Sequence, residues 1–291
     1  MQLALLDVPV APLVDRWRNE PPLPRVSEHL DVRWSETSPV LNPGTGHLRD
    51  YDFAVNPYRG CQFGCSYCYA ALFVPDKQDR KAWGQWVVVK QRSIADVRSK
   101  RLDGLKLYMS SATDPYQPIE RELELTRGLL EEFLAKRVPP RLVIQTRSPL
   151  VTRDIDLLAR FPHVRVNVSI TTDNEEVRKR FEPSCPSISR RLAAVRELRE
   201  AGIKTHICVS PMLPIHNPAR FAEQLRATGA NAVVVTGLHE GERLFTAGTR
   251  PEGATLARQS GHARDRASAV LRELGNRLDN LVSTTAGFGP E

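Results

Sequence analysis

Three cysteines fall within eight residues, Cys61, Cys65 and Cys68, with three and then two residues between them. A thiolate is a strong ligand for soft and borderline metals. Three on one tight loop can each take one iron of a cubane cluster, and Gly60 and Gly64 let the backbone wrap closely around it. No fourth cysteine stands nearby in the sequence, so one iron is left open to a substrate or cofactor ligand. The competing chemistry is a zinc site, which needs a fourth ligand and usually pairs two Cys-x₂-Cys units. No second pair exists, so Cys185, Cys208 or a histidine would have to complete it.

A loop of this kind needs a frame. The chain alternates strand and helix patterns, which argues for a parallel α/β sheet. Strands are expected at 52–56, running into the cysteine loop, and at 105–110, 141–146, 164–171, 203–210 and 231–236. Ile188, Leu192 and Val195 mark a helix that Gly202 would end, and Asn217 followed by Pro218 opens another that Gly229 would close. Near the end, Ala267, Val270, Leu271, Leu274, Leu278 and Leu281 trace one helical face, read as core packing. Six βα units are too few for a closed eight-stranded barrel and predict an open, partial (β/α)₆ TIM-type barrel. Residues 1–50, rich in proline, read as an irregular N-terminal arm, 51–240 as the barrel, and 241–291 as a C-terminal loop and helix packed on it. Residues 240–262 carry no clear periodicity and read as loop.

Two strands point to a polar interior. Val164, Val166, Val168 and Ile170 alternate with Arg165, Asn167, Ser169 and Thr171; Ile203, Ile207 and Val209 alternate with Lys204, His206, Cys208 and Ser210. The apolar set should pack on helices and the polar set face the barrel lumen. Unmatched polar groups are costly in a core, so such a lumen suits a polar ligand. Ser110, Ser111, Thr113 and Asp114 follow the second barrel strand, where barrel sites form; the competing role for Asp114 is a turn before Pro115. Arg147 ends the third strand, and a surface salt bridge is its alternative.

Bulk properties narrow the field. The 291 residues are 41% hydrophobic and 26% charged, as in an ordinary globular protein, and no apolar run approaches a membrane span. The N-terminus has neither a basic leader nor an A-x-A-like cleavage site, so a cytoplasmic protein is expected. Clustered cysteines in a reducing compartment read as metal or cluster ligands rather than disulfides. The net charge of +7 favours an anionic partner such as nucleic acid, against the alternative of a merely solvated basic surface.

The Cys-x₃-Cys-x₂-Cys spacing, with aromatic Tyr67 directly before the last cysteine, resembles the radical S-adenosylmethionine (SAM) superfamily motif. The wider match, over about 50–240, resembles the spore photoproduct lyase-related members. It is carried by 56–61 (Asn-Pro-Tyr-Arg-Gly-Cys), 68–70, 113–120 (Thr-Asp-Pro-Tyr-Gln-Pro-Ile-Glu), 146–148, 153–157, 169–172, Glu182 with Pro183, and 211–214. The resemblance implies a 4Fe–4S cluster on Cys61, Cys65 and Cys68, with SAM on the open iron. One electron, from a donor such as flavodoxin or ferredoxin, then cleaves SAM to methionine and a 5′-deoxyadenosyl radical that takes hydrogen from a substrate.

It also implies that Asp114 faces the SAM ammonium, with Ser111 and Thr113 beside it, and that Arg147 faces the carboxylate where lysine is commoner. Ser169 and Thr171 would meet the ribose, and Tyr67 and the 211–214 backbone the adenine. Glu120 and Arg153 have no assigned role, and Glu182 would order the loop before the next helix. Photoproduct lyases are expected to carry a cysteine hydrogen donor near Ser110 and Ser111, so the serines argue against the same repair reaction. The leading reading is a radical SAM enzyme on nucleic acid or a nucleotide. The alternatives are one acting on a peptide or small metabolite, or a non-catalytic Fe–S or zinc module. Cys185 is expected at the surface, and Cys208 facing the lumen as a buried thiol.

Overall fold

The computed structural model describes residues 30–238, 249–260, 264–283 and 285–290. Among the described residues, eleven strands run in chain order: β1 Asp31–Ser35, β2 Leu41–Pro43, β3 Phe53–Val55, β4 Tyr58–Arg59, β5 Trp86–Lys90, β6 Lys106–Met109, β7 Arg141–Thr146, β8 Val164–Ser169, β9 Lys204–Val209, β10 Ala232–Val235 and β11 Leu281–Val282. The main sheet has eight strands in the order β11-β10-β9-β8-β7-β6-β3-β2. Every neighbouring pair is parallel except β2 and β3. The six expected strands are therefore β3, β6, β7, β8, β9 and β10, side by side, forming a partial barrel.

The remaining strands come from segments without a clear periodic signal. Within 30–50, β2 edges the main sheet, while β1 joins β5 and β4 in a second, three-stranded sheet. β11 begins at Leu281, because the last helix stops at Gly275. The apolar stripe read as one helical face therefore ends in a strand.

Alternation along the strands sorts the two faces as expected. Leu107, Met109, Leu142, Ile144, Val166, Val168, Ile207, Val209, Val233 and Val235 belong to the main core shared with the covering helices. On the other face, Gln145 receives a hydrogen bond from Tyr108 Oη at 3.2 Å, donates to Ser169 Oγ at 2.9 Å, and meets Cys208 Sγ at 3.7 Å. Asn167 lies in register beside Gln145 and His206 and is fully buried. The N-terminal end of this lumen is floored by the chain's last residues. Tyr51 Oη donates to the Phe288 carbonyl and Arg165 Nη2 to the Gly289 carbonyl, each at 2.6 Å.

Residues 240–262, read as loop, contain a helix at Pro251–Gln259, the remainder apart from 249–250 and Ser260 lying outside the described residues. Gly253 hides it, since glycine inside a helix weakens the pattern. Its reason is packing: a Cβ there would lie 2.7 Å from Tyr67 Cα and 2.9 Å from Ser66 O. The helix rests directly on the cysteine loop.

Candidate active site

The loop carrying Cys61, Cys65 and Cys68 leaves β4 through Gly60, whose φ of +80° L side chains rarely adopt. A Cβ at Gly60 would stand 2.6 Å from Trp86 O and 2.7 Å from the Trp86 ring. Gly60→Ala should therefore cost about 2–4 kcal/mol from strain and overpacking. Denaturant unfolding of the apoprotein measures it, and an unchanged midpoint would contradict the packing described.

Polar clamps fix the loop to the segment after β6. Thr113 Oγ1 donates to Gly60 O at 2.6 Å, and the Gln117 side-chain oxygen accepts from Gln62 N at 2.9 Å. Gln62 Oε1 accepts from Ile119 N at 2.6 Å, and Asn56 Oδ1 from Ala112 N at 3.0 Å. Asn56 also donates to Ser111 Oγ at 3.2 Å. Sequence spacing gave no sign of the roles of Gln62 and Gln117.

A buried charge network lies against the loop, centred on Glu182, which is fully buried. Its Oε1 accepts from Tyr67 Oη at 2.5 Å, Thr171 Oγ1 at 2.8 Å and Arg147 Nη1 at 2.8 Å. Its Oε2 forms an ion pair with Arg191 Nη2 at 2.6 Å. Burial pushes the carboxyl up, but Arg191, Arg147 and the Tyr67 hydroxyl outweigh it and hold the group at about 2. The Arg147 guanidinium also lies 5.9 Å from the Tyr67 ring centroid. Arg147, expected to be either a ligand contact or a surface ion pair, is thus a largely buried member of this network. Tyr67 and Thr171 meet on the same carboxylate.

The other expected residues sit around it. Asp114 is buried at the loop after β6 and accepts from Thr146 Oγ1 at 2.7 Å, Arg147 N at 2.8 Å and Tyr116 N at 2.9 Å. It therefore forms the turn before Pro115 and braces β7, and any ligand contact would add to those bonds. Glu120 and Arg153 are a separate brace: the Glu120 carboxylate accepts from Tyr58 Oη at 2.5 Å, Thr126 N at 3.0 Å and Arg153 Nη2 at 2.9 Å.

Cys185 departs from expectation. It is buried, with its Sγ 3.7 Å from Cys65 Sγ, because the turn after Glu182 folds back under the cysteine loop. The Cys185 contact draws Cys65 down, while burial and Cys65 push Cys185 up. Burial raises Cys61, and raises Cys68 to about 11. A metal bound by Cys61 and Cys68 would displace their protons. Cys208 is fully buried in the lumen and pushed up to about 12 by burial.

The donor set fits a cluster with one open iron. Among the described residues, no three His, Cys, Asp or Glu side chains converge as a single metal ion requires. Three reduced thiols on one loop can each take one iron of a cubane. Ser66 Oγ, Ser110 Oγ and Asn167 Nδ2 are buried with no hydrogen-bond partner among the described residues, so polar capacity remains around the loop and in the lumen.

An open parallel barrel with a three-cysteine loop at the C-terminal end of its first parallel strand defines the class, and sequence comparison agrees. Residues 55–227 match the Radical SAM superfamily model, and the chain belongs to that superfamily. An uncharacterized protein of Methanocaldococcus jannaschii is 40% identical over 162 residues, covering 56% of this chain and 61% of its own length. The Radical SAM Nalpha-GlyT isomerase of Pseudomonas phage M6 is 28% identical over 72% of this chain and 42% of its own. The chain thus spans about three-fifths of the first of these relatives. Among solved structures, spore photoproduct lyase complexed with dinucleoside spore photoproduct superposes with a TM-score of 0.58 at 15% identity, covering 86% of this chain and 80% of that one. A variant of that lyase with bound AdoMet and the same dinucleoside gives 0.58 at 16% identity, covering 88% and 82%. These likenesses establish the fold. No helix among the described residues is long and apolar enough to cross a membrane.

Proposed function

We propose that Cys61, Cys65 and Cys68 hold a 4Fe–4S cluster whose open iron binds SAM, and that the chain is a cytoplasmic radical enzyme acting on nucleic acid or a nucleotide. The observation that carries this is the cysteine loop pinned against the Glu182 network at the rim of a polar lumen. When bound and reduced by a one-electron donor such as flavodoxin or ferredoxin, the cluster and SAM would supply a 5′-deoxyadenosyl radical for hydrogen abstraction.

The protein's own groups bind and orient. Arg147 and Arg191 share one carboxylate, so the network keeps a positive charge that suits the SAM carboxylate at Arg147. Thr171 donates to Glu182 and keeps lone pairs to accept; Ser169 accepts from Gln145 and keeps a proton to donate. That complementary pair suits the ribose hydroxyls. Asp114, with Ser111 and Thr113 beside it, borders the space for the ammonium, and Tyr67 with the 211–214 backbone borders the adenine. The carbonyls of residues 288 and 289 tie down Tyr51 and Arg165 at the lower end of the lumen. The fold shared with a lyase solved with a dinucleoside photoproduct and the basic net charge support the nucleic-acid substrate.

Anaerobically reconstituted protein should hold about four irons and four sulfides. After dithionite reduction it should release 5′-deoxyadenosine and methionine from SAM, slowly even without substrate. Intact SAM after prolonged reduction of cluster-loaded protein would overturn the catalytic reading.

A further inference from the structure

Beside the cysteine loop lies a cleft whose lining, Ser111 apart, is distinct from the residues proposed for SAM. This cleft, of about 830 Å³, opens between residues 38–48 on one wall and Tyr69, Ala70, Phe73 and Val74 on the other, reaching Asn56, Ser111 and Ala112 at the strand ends. Its lining contains Arg59, Lys90 and His47 but no aspartate or glutamate. Lys90 is 7% exposed, and the one hydrogen bond its ammonium makes among the described residues runs to the Pro39 carbonyl, at 2.8 Å. Two of its three N–H donors are therefore uncommitted. A buried ammonium without a counter-charge is costly, and burial together with Arg59 pulls it down to about 8. Trp83, also in the lining, has a buried indole N–H with no hydrogen-bond partner among the described residues.

The same lining also carries rings. His47, Tyr69 and Phe73 form an edge-to-face series, with centroids 6.2 Å apart from His47 to Tyr69 and 5.7 Å from Tyr69 to Phe73. Phe73 is 43% exposed, a large apolar side chain left in water. Cations without acids and a series of rings lining one cleft are the requirements for holding a single-stranded backbone and its bases. A carboxylate metabolite would use the cations but not the ring series.

We propose that this cleft is the substrate groove and takes single-stranded nucleic acid, a phosphodiester lying against Lys90 and Arg59 and a base stacking on Phe73 beside Tyr69. The assignment rests on the radical reading only for the chemistry that follows binding; the binding itself stands on the cleft.

The test is fluorescence anisotropy of a short labelled single-stranded DNA with the full-length, cluster-loaded protein across a salt series. Binding should weaken log-linearly with salt, and Arg59→Gln or Lys90→Met should each lower the slope by about 0.7 and the low-salt affinity about tenfold. Phe73→Ala, at an exposed position, should weaken binding roughly tenfold with the slope unchanged. Unaltered affinity in Arg59→Gln and Phe73→Ala overturns the assignment, as does wild-type protein that fails to bind at low salt. SAM cleavage by the wild-type protein is measured alongside. Binding with these dependences but without SAM cleavage supports the groove and overturns the radical reading; SAM cleavage with binding indifferent to the cations and the rings alike does the reverse.

Discussion

Glu182→Gln should lower the unfolding free energy by about 3–5 kcal/mol, because it leaves Arg147 and Arg191 buried without their shared counter-charge. The cost falls on a side chain with no exposure that joins Tyr67 of the cysteine loop, Arg147 after β7, Thr171 after β8 and Arg191 of the helix Ile188–Glu200. The pH dependence gives a second signature. Glu182 ordinarily titrates near 4.5 and is held at about 2 in the fold. A depressed carboxyl stabilises the native state fully above its unfolded pKa, and that contribution is lost as pH falls through the folded value. The stability gap between wild type and variant should therefore be constant near neutrality and narrow from about pH 4.5 toward 2. Denaturant titrations of both apoproteins at several pH values would measure it. Equal stability at pH 7, or a gap that widens on acidification, would show that the network does not hold the loop electrostatically.

Replacing Cys61, Cys65 and Cys68 together by alanine should take iron from about four atoms per chain to none and remove sulfide with it. The barrel should still fold, since its strands pack through a separate apolar core that contains none of the three. Far-ultraviolet circular dichroism and iron and sulfide analysis suffice for the measurement. Cys185→Ala and Cys208→Ala should keep full iron, because the three loop thiols and SAM already complete the cubane. The Cys185 control is the sharper, as its sulfur stands 3.7 Å from that of Cys65. Stoichiometric zinc without sulfide in the native protein would overturn the cluster assignment outright.

The six barrel strands were legible, and in two of them the face each residue takes, because period-two alternation is a local signal, readable in Val164–Ser169 and Lys204–Val209 one residue at a time. The cysteine loop was legible because its ligands are close in sequence. What escaped is what distant residues decide. Glu182 looks like a loop acid until Arg191, Arg147 and Tyr67 arrive around it. Cys185 reads as a surface residue before Pro186 until the turn tucks it under Cys65. Gly253 argues against a helix locally, and is required because that helix touches the Tyr67 backbone. The cleft needed the segment 38–48, whose single short strand carries little pattern, to be brought against Tyr69 and Phe73.

The supports of the cysteine loop have a consequence for biosynthesis. Cys61 to Cys68 emerge from the ribosome early, but Arg147, Glu182 and the helix starting at Pro251 follow much later. Contacts of such long sequence separation form late and slowly, and domains mature as units during synthesis. A nascent chain of half length would present three thiols on a loop without its charge network or its covering helix. Loading of the proposed cluster is therefore expected only after the helix Pro251–Gln259 has emerged and packed on the loop. Before that, the thiols would be open to oxidation and to competing metals.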